Sequence, residues 1–205
     1  MASVYDLKPR FQALLRPFVN WLAAHGVTAN MVTLAALALS LAAAAYMALT
    51  TDVTAALILL PVVLFVRMAL NAIDGMLARE HKHKSRLGAI LNEIADVLSD
   101  IALYLALVPA LSEYGAAAAP IVLFTIGAVV TEFAGVLSQA LGAGRRYDGP
   151  MGKSDRAVVV GTLALGVVFL ALPAVAIDGV FIMLAISTGL TVWKRLAAAL
   201  RYGND

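Results

Sequence analysis

Residues 53–78 read VTAALILLPVVLFVRMALNAIDGMLA, an apolar run that ends among polar side chains. A helix needs roughly 20 mostly apolar residues to cross the hydrocarbon layer of a membrane, and this run is long enough. It also contains Arg67, Asn71 and Asp74. Polar and ionisable groups are costly inside a membrane and by default indicate function. The run therefore predicts a membrane-spanning helix with a functional site toward its carboxyl end.

The composition of the whole chain is that of a membrane protein. The 205 residues are 62% hydrophobic and 14% charged, whereas soluble domains are about 45–50% apolar and about 25% charged. These values exclude a soluble globular domain, a disordered chain and a coiled coil. The absence of cysteine excludes thiolate catalysis and cysteine-ligated metals. A formal net charge of +2 gives no indication of nucleic-acid binding.

Six stretches of the sequence are long and apolar enough to cross a membrane. They are too long, and too rich in Ala and Leu, to be strands of a membrane barrel. We therefore predict an all-α integral membrane protein with one domain over residues 1–205. The predicted transmembrane helices are 29–50, 53–78, 87–111, 116–143, 157–176 and 179–200.

The basic residues predict the orientation of these spans. All fifteen lysines and arginines except Arg67 lie on one side of the predicted helices. The three opposite connections, at 51–52, 112–115 and 178–179, contain neither residue type. Cytoplasmic loops carry the excess of Lys and Arg, so both termini are expected in the cytoplasm.

Residues 1–25 precede the first span and have the pattern of an amphipathic interfacial helix. Apolar residues recur there at helical spacing, while basic and polar residues face elsewhere. The apolar positions are Leu7, Phe11, Leu14, Leu15, Phe18 and Leu22. The alternative is a charged tail that only helps to set the topology.

Polar residues near the cytoplasmic ends of spans two and three predict a metal site. Asn71 and Asp74 are spaced i, i+3 on one helix, and Asn92 and Asp96 are spaced i, i+4 on the next. Each spacing places a pair on one helix face. Oxygen ligands without His or Cys suit Mg²⁺ or Mn²⁺. Glu93 either reaches the same cavity or contacts a neighbouring helix.

A second group of ionisable residues is predicted deeper in the membrane. Arg67, Asp100 and Glu132 all lie about twelve or thirteen residues from the cytoplasmic ends of their helices. We interpret one arginine and two acids at matched depth as a structural ion-pair network.

The spacing across spans two and three resembles the signature of a known family. Residues 71–96 read NAIDGMLAR, eight further residues, then GAILNEIAD. This resembles D-x-x-D-G-x-x-A-R, eight residues, G-x-x-x-D-x-x-x-D of the CDP-alcohol phosphotransferase (phosphatidyltransferase) family. The likeness is greatest to a bacterial branch with an N-A-x-D-G-M-L-A-R-E core. The matching positions are Asp74, Gly75, Ala78, Arg79, Gly88 and Asp96.

The resemblance implies a transferase of phospholipid biosynthesis in the bacterial cytoplasmic membrane, and a possible homodimer. A CDP-diacylglycerol-like donor would pass its phosphatidyl group to an alcohol acceptor, with release of CMP. Asp96 would be the general base. Asp74 and Asp96 would be ligands of one or two Mg²⁺ or Mn²⁺ ions. The positions of Asn71, Asn92 and Glu93 beside them make these residues further candidate ligands. The CDP group would contact Asp74, Gly75, Ala78, Arg79 and Gly88.

The chain departs from the family signature at two positions. Asn71 and Asn92 stand where the first and third aspartates of the signature stand. An amide supplies an oxygen to a hard cation but no charge. One metal ion, two ions in a rearranged site, and loss of catalysis are all consistent with this donor set. The sequence does not identify the acceptor alcohol.

The basic loop after span four is a candidate phosphate-binding segment. Arg145 and Arg146 suit either a phosphate of the acceptor or lipid donor, or anionic lipid headgroups. For Lys153 and Arg156 we favour substrate contact, because their compact turn adjoins span five.

Two other functions compete with the transferase. Intramembrane acids also occur along proton and cation paths, which makes a transporter the first alternative. The polar groups do not continue outward, however, and no inverted repeat with broken helices is evident. The second alternative is a catalytically silent member of the family.

Overall fold

The computed structural model describes residues 4–202, which form seven α-helices and no strand. Five of these helices, α2, α3, α4, α5 and α7, are long and apolar enough to cross a membrane, by length and composition. The helices are α1 (Val4–Ala24), α2 (Ala29–Leu49), α3 (Val53–Glu80), α4 (Arg86–Ser112), α5 (Ala118–Ala140), α6 (Lys153–Leu170) and α7 (Ala174–Tyr202).

Short polar side chains determine where three of the helices begin. Thr28, Asp52 and Ser85 precede α2, α3 and α4, and each accepts a hydrogen bond from the backbone N–H three residues later. Such N-caps satisfy one of the unpaired amides of a first helical turn. They therefore place the polar residues of α3 and α4 at defined heights in the fold.

Helix α6 differs from the predicted span 157–176. It begins at Lys153, where the Asp155 carboxylate accepts the Gly152 N–H at 3.0 Å. It ends before Ala171, which has a φ of 48°, and Pro173 disfavours helical backbone at the residue before it. The helix is therefore shorter and more polar than predicted. The crossing of the membrane by α6, and with it the count of six spans, stays a prediction.

Helix α1 packs against α3, near the basic end of the molecule. Val19 is fully buried against Ile73, Met76 and Leu77 of α3. In contrast, Leu14 is 79% exposed. One face of α1 therefore packs against α3. The location of α1 in the headgroup layer stays a prediction.

The remaining helices pack around α3 and α4. Helix α2 contacts both α3 and α4, α6 contacts α3, and α5 contacts α4 and α7. Small residues allow close approach, because a β-carbon on Gly161 would lie 3.2 Å from Pro61. The rings of Tyr104, Phe124 and Phe181 pack against one another at tilted angles in the apolar core. Helices α3 and α4 approach each other little, so the side chains between them enclose a polar hollow.

Candidate active site

The facing polar residues of α3 and α4 join across this hollow. The Asn71 amide donates a hydrogen bond to Asp96 Oδ1 at 2.8 Å. The Asn92 amide donates to Asp74 Oδ2 at 3.3 Å. Both carboxylates are buried, with 4% of Asp74 and 6% of Asp96 exposed. The two aspartates therefore face one shared space rather than lipid.

Thr33 of α2 is a further member of the site that sequence reasoning missed. Its hydroxyl lies 2.8 Å from Asp74 Oδ2 and donates to it. The hydroxyl also lies 3.1 Å from the carbonyl of Ala29, one turn earlier. Threonines in membrane helices commonly bond to that carbonyl, so the sequence alone gives no distinguishing signal.

Lys153, at the start of α6, lies between two carboxylates from different helices. Its ammonium donates a hydrogen bond to Asp96 Oδ2 and lies 3.8 Å from Glu132 Oε2. Burial lowers the pKa of Lys153, but the charges of Asp96 and Glu132 outweigh burial and raise its pKa above the ordinary value. The lysine is therefore a fixed positive charge within the hollow.

The deeper ionisable residues form a continuous network. Arg67 donates to Asp100 at 2.6 Å and lies 3.4 Å from Asp96 Oδ1. Arg156 donates to Asp100 at 2.8 Å and to Glu132 at 3.0 Å. Glu132 is thus linked to Asp100 and Arg67 through Arg156 and does not contact either residue itself.

This placement changes the interpretation of Arg156. Its guanidinium also donates to the Thr131 hydroxyl at 2.9 Å, and the residue has no exposed surface. The sequence favoured substrate contact for this arginine. We now interpret it as a structural member of the network, because its neighbours enclose it.

The loop after α5 folds back over the site. Arg145 donates to Glu93 at 2.8 Å and to Glu132 at 2.9 Å. Arg146 pairs with Asp148 at 2.9 Å. Glu93 therefore contacts this loop, and the structure shows no direct bond from Glu93 to Asp74 or Asp96. The role of both arginines in phosphate binding stays a prediction.

Arg195 of α7 is a second site residue that the sequence did not single out. Its side chain donates to the carbonyl of Thr131 and, at 3.3 Å, to the carbonyl of Asp148. Only 2% of the residue is exposed. It lies inside the predicted sixth span, and an ionisable residue there is the signal that could have identified it.

The small residues of the signature make close contacts within the chain. A β-carbon on Gly75 would lie 3.1 Å from the guanidinium of Arg79, and one on Gly88 would lie 2.7 Å from Asn30 Oδ1. Ala78 packs against the apolar cluster between α1 and α3. Close packing therefore explains why small residues stand at positions 88 and 78. Contact of Gly88 and Ala78 with CDP stays a prediction.

A cavity of about 560 Å³ lies between α1, α3 and α6, next to the hollow between α3 and α4. Arg67, Asn71, Arg79 and Lys153 line its polar part. Apolar side chains, including Leu64 and Phe65, line the rest. The cavity therefore combines a charged end beside the aspartates with an apolar wall.

The donor set suits a hard divalent cation. Among residues 4–202 no group of three or more His, Cys, Asp or Glu is arranged to hold a metal ion. The carboxylates of Asp74 and Asp96 and the amide oxygens of Asn71 and Asn92 are ligands that suit Mg²⁺ or Mn²⁺. For the amide oxygens to face the cation, each amide must exchange the positions of its oxygen and nitrogen, which are assigned from hydrogen bonds. The number of ions that this donor set would hold stays a prediction.

Comparison with known proteins identifies the family. The sequence model of the CDP-alcohol phosphatidyltransferase family matches residues 26–193. The chain is 52% identical over 165 residues to the inner membrane protein YnbA of Escherichia coli K12, covering 80% of each. It is 33% identical over 109 residues to an uncharacterized protein of Aquifex aeolicus, covering 53% of each.

The fold is similar to that of a solved enzyme structure. The phosphatidylinositol phosphate synthase PgsA1 of Mycobacterium tuberculosis, in complex with manganese and citrate, superimposes with a TM-score of 0.73 at 23% identity. That alignment covers 90% of this chain and 88% of PgsA1. The same enzyme with CDP-DAG bound gives a TM-score of 0.72.

An all-helical bundle with a polar hollow between two apolar helices defines this chain as a membrane protein with a buried ionic site. The match over residues 26–193 identifies the family within this class: the chain belongs to the CDP-alcohol phosphatidyltransferase family. The resemblance inferred from residues 71–96 is confirmed.

Proposed function

We propose that this chain transfers a phosphatidyl group from a CDP-linked lipid to an acceptor alcohol, with release of CMP, at the cytoplasmic side of a bacterial inner membrane. The observation that carries this proposal is the pairing of Asp74 and Asp96 across α3 and α4 through Asn92 and Asn71. Family membership supports the same reaction class.

The adjoining cavity suits the donor. Its basic residues, Arg79 and Lys153 among them, complement a diphosphate, while its apolar wall complements acyl chains. The PgsA1 structure with CDP-DAG bound supports a lipid donor of this kind. In this proposal Arg79 and Gly75 lie against the CDP group, and Asp96 accepts the proton of the acceptor hydroxyl.

A divalent cation is part of this proposal. Asp74 and Asp96, with Asn71 and Asn92, would hold it, and it would neutralise the diphosphate during transfer. The chain's own residues supply orientation: Thr33 fixes the Asp74 carboxylate, and Arg67 fixes that of Asp96.

The test is release of CMP from CDP-diacylglycerol by the purified full chain with Mg²⁺ or Mn²⁺, across a panel of alcohols read out by lipid mass spectrometry. Asp96→Ala is expected to lower the rate at least about 100-fold, because general base catalysis contributes about that much. Glu113→Ala, which changes an exposed acid at the far end of α4, is the matched control and should leave the rate unchanged.

The outcomes separate the competing functions. No CMP release with any alcohol would contradict the transferase and favour the silent family member. Proton flux through reconstituted protein, independent of metal and without CMP release, would favour the transporter. An Asp96→Ala variant as active as the parent would remove the assigned base.

A further inference from the structure

Glu132 of α5 is the acid on which three basic side chains beside the hollow converge. Its Oε2 accepts a hydrogen bond from Arg145 at 2.9 Å and lies 3.8 Å from the Lys153 ammonium. Its Oε1 accepts a hydrogen bond from Arg156 at 3.0 Å. Only 4% of Glu132 is exposed. One buried carboxylate is therefore surrounded by cations from the loop after α5 and from α6.

The fold holds Arg145 firmly at this position. Its guanidinium also donates to the backbone carbonyl of Glu132 at 2.9 Å and to Glu93 of α4 at 2.8 Å. Gly135, about one turn further along α5, leaves room for the guanidinium, because a β-carbon there would overlap it. Arg145 is therefore built into the cluster and does not extend into solvent.

Each cation of this cluster has a second carboxylate partner besides Glu132. Arg145 pairs with Glu93, Lys153 with Asp96 and Arg156 with Asp100. Two further arginines lie nearby. Arg195 donates to the backbone carbonyls of Thr131 and Asp148, and Arg146 pairs with the Asp148 carboxylate. An anionic ligand would therefore compete with an internal acceptor for each of these five basic groups.

The cluster lies beside the position at which the acceptor alcohol would react. Lys153 donates to Asp96, the proposed general base, and also lies close to Glu132. A single ammonium thus separates the base from the Glu132 carboxylate. A hydroxyl that reaches Asp96 would bring the rest of the acceptor close to these cations.

We propose that the acceptor alcohol bears no phosphate group, because the Glu132 carboxylate occupies the position of such an anion among Arg145, Lys153 and Arg156. The proposal rests on the proposed function and narrows its substrate class. A phosphate entering this cluster would meet the like charge of Glu132 in a low-dielectric site. Expelling Glu132 instead would leave a buried carboxylate without its partners, which is costly.

The test compares each alcohol with its phosphate ester in the CMP-release assay of the purified full chain. The pairs are glycerol with glycerol 3-phosphate, serine with phosphoserine, and inositol with inositol phosphate. The parent chain is expected to use at least one alcohol with a kcat/KM at least about tenfold above that of its ester. Glu132→Gln should shift this ratio toward the ester at least about tenfold, because one negative charge beside three cations is removed.

Two control variants separate charge from structure. Glu132→Asp keeps the carboxylate and should keep the preference of the parent. Glu113→Gln makes the same acid-to-amide change at an exposed residue at the far end of α4, and it should also keep that preference. Faster transfer to an ester than to its alcohol by the parent, or an unchanged ratio in Glu132→Gln, would overturn the proposal. If Glu132→Gln fails to fold, the ratio of the parent decides.

A binding measurement separates this proposal from the proposed function. Calorimetric titration with glycerol 3-phosphate needs no catalysis, and saturating CMP occupies the proposed nucleotide site during it. The parent should show no saturable binding, whereas Glu132→Gln should bind the ester. This pattern without CMP release from any alcohol would contradict the transferase and leave Glu132 as the internal anion. Saturable binding by the parent, or binding by neither protein, would overturn the inference even where CMP is released.

Discussion

Individual residues in the loop between α5 and α6 hold that segment against the rest of the fold. Gly149 has a φ of +115° and lies so close to α7 that a β-carbon would sit 2.7 Å from the Cα of Thr191. Nearby, Met151 N–H donates to the Thr191 hydroxyl at 3.1 Å. Thr191 is therefore the point on α7 against which the loop that carries Arg145 and Arg146 is fixed.

Gly149→Ala is expected to destabilise the chain by about 2–4 kcal/mol, since backbone strain and overpacking add at this position. Gly142→Ala is the matched control, because Gly142 also has a positive φ, +85°, but meets no atom within 4 Å. It should cost only about 1 kcal/mol of strain. Thermal unfolding in detergent measures both. Equal losses would show that contact with Thr191 contributes nothing.

The sequence predicts the relative positions of residues where a single helix face determines them. The spacing of Asn71 with Asp74, and of Asn92 with Asp96, depends only on helical geometry. The contacts of Thr33 and Arg195 depend instead on which helices pack together. The reach of Lys153 to Asp96 depends on both the cap at Gly152 and the packing of α6 on α3, neither of which a pattern within one helix contains.

At the scale of elements, α3, α4, α5 and α6 are joined by an ion-pair network as well as by apolar packing. Arg67 of α3 and Arg156 of α6 both bond to Asp100 of α4. Arg156 continues to Glu132 of α5. Buried pairs are costly to break singly, because one partner is left charged without compensation.

Arg67→Leu should therefore destabilise the chain by about 3–5 kcal/mol. Arg67→Leu combined with Asp100→Asn should recover about 1–3 kcal/mol of that loss, since the network regains its charge balance. Unfolding of the parent, both single variants and the double variant by chemical denaturant measures the coupling. Strictly additive losses would contradict the direct contact between Arg67 and Asp100.

Helix α6 shows where sequence reasoning about elements was weakest. Its apolar content predicted a span over 157–176, but the helix runs over Lys153–Leu170 because a cap precedes it and Pro173 follows it. Helices α2, α3 and α4 begin within one residue of their predicted starts, since Thr28, Asp52 and Ser85 cap them. Helix α7 begins at Ala174, five residues before the predicted start at 179, so the predicted connection at 178–179 lies inside this helix.

At the scale of the whole molecule, the distribution of basic residues predicts which side faces the cytoplasm. The chain contains no cysteine. A cysteine introduced at one position is therefore its only thiol, and labelling of that thiol reports on which side of the membrane the position lies. Lys84 and Glu113 are exposed at opposite ends of α4, and Val175 is 82% exposed at the start of α7.

In intact cells a membrane-impermeant maleimide should label Glu113→Cys and Val175→Cys but not Lys84→Cys, which should react only after permeabilisation. Protection of Val175→Cys together with labelling of Glu113→Cys would show that α6 does not cross the membrane. The count of six spans would then be wrong, while the site between α3 and α4 would be unaffected.

The full burial of Arg156 has a consequence for biogenesis. Arg156 lies in the first turn of α6, which also carries Lys153 and Asp155, and charged side chains oppose the insertion of a helix into a membrane unless they are paired. The carboxylates that neutralise Arg156 belong to α4 and α5, which leave the ribosome earlier. The predicted insertion of α6 would therefore depend on α4 and α5, whose carboxylates are already in place when α6 is synthesised.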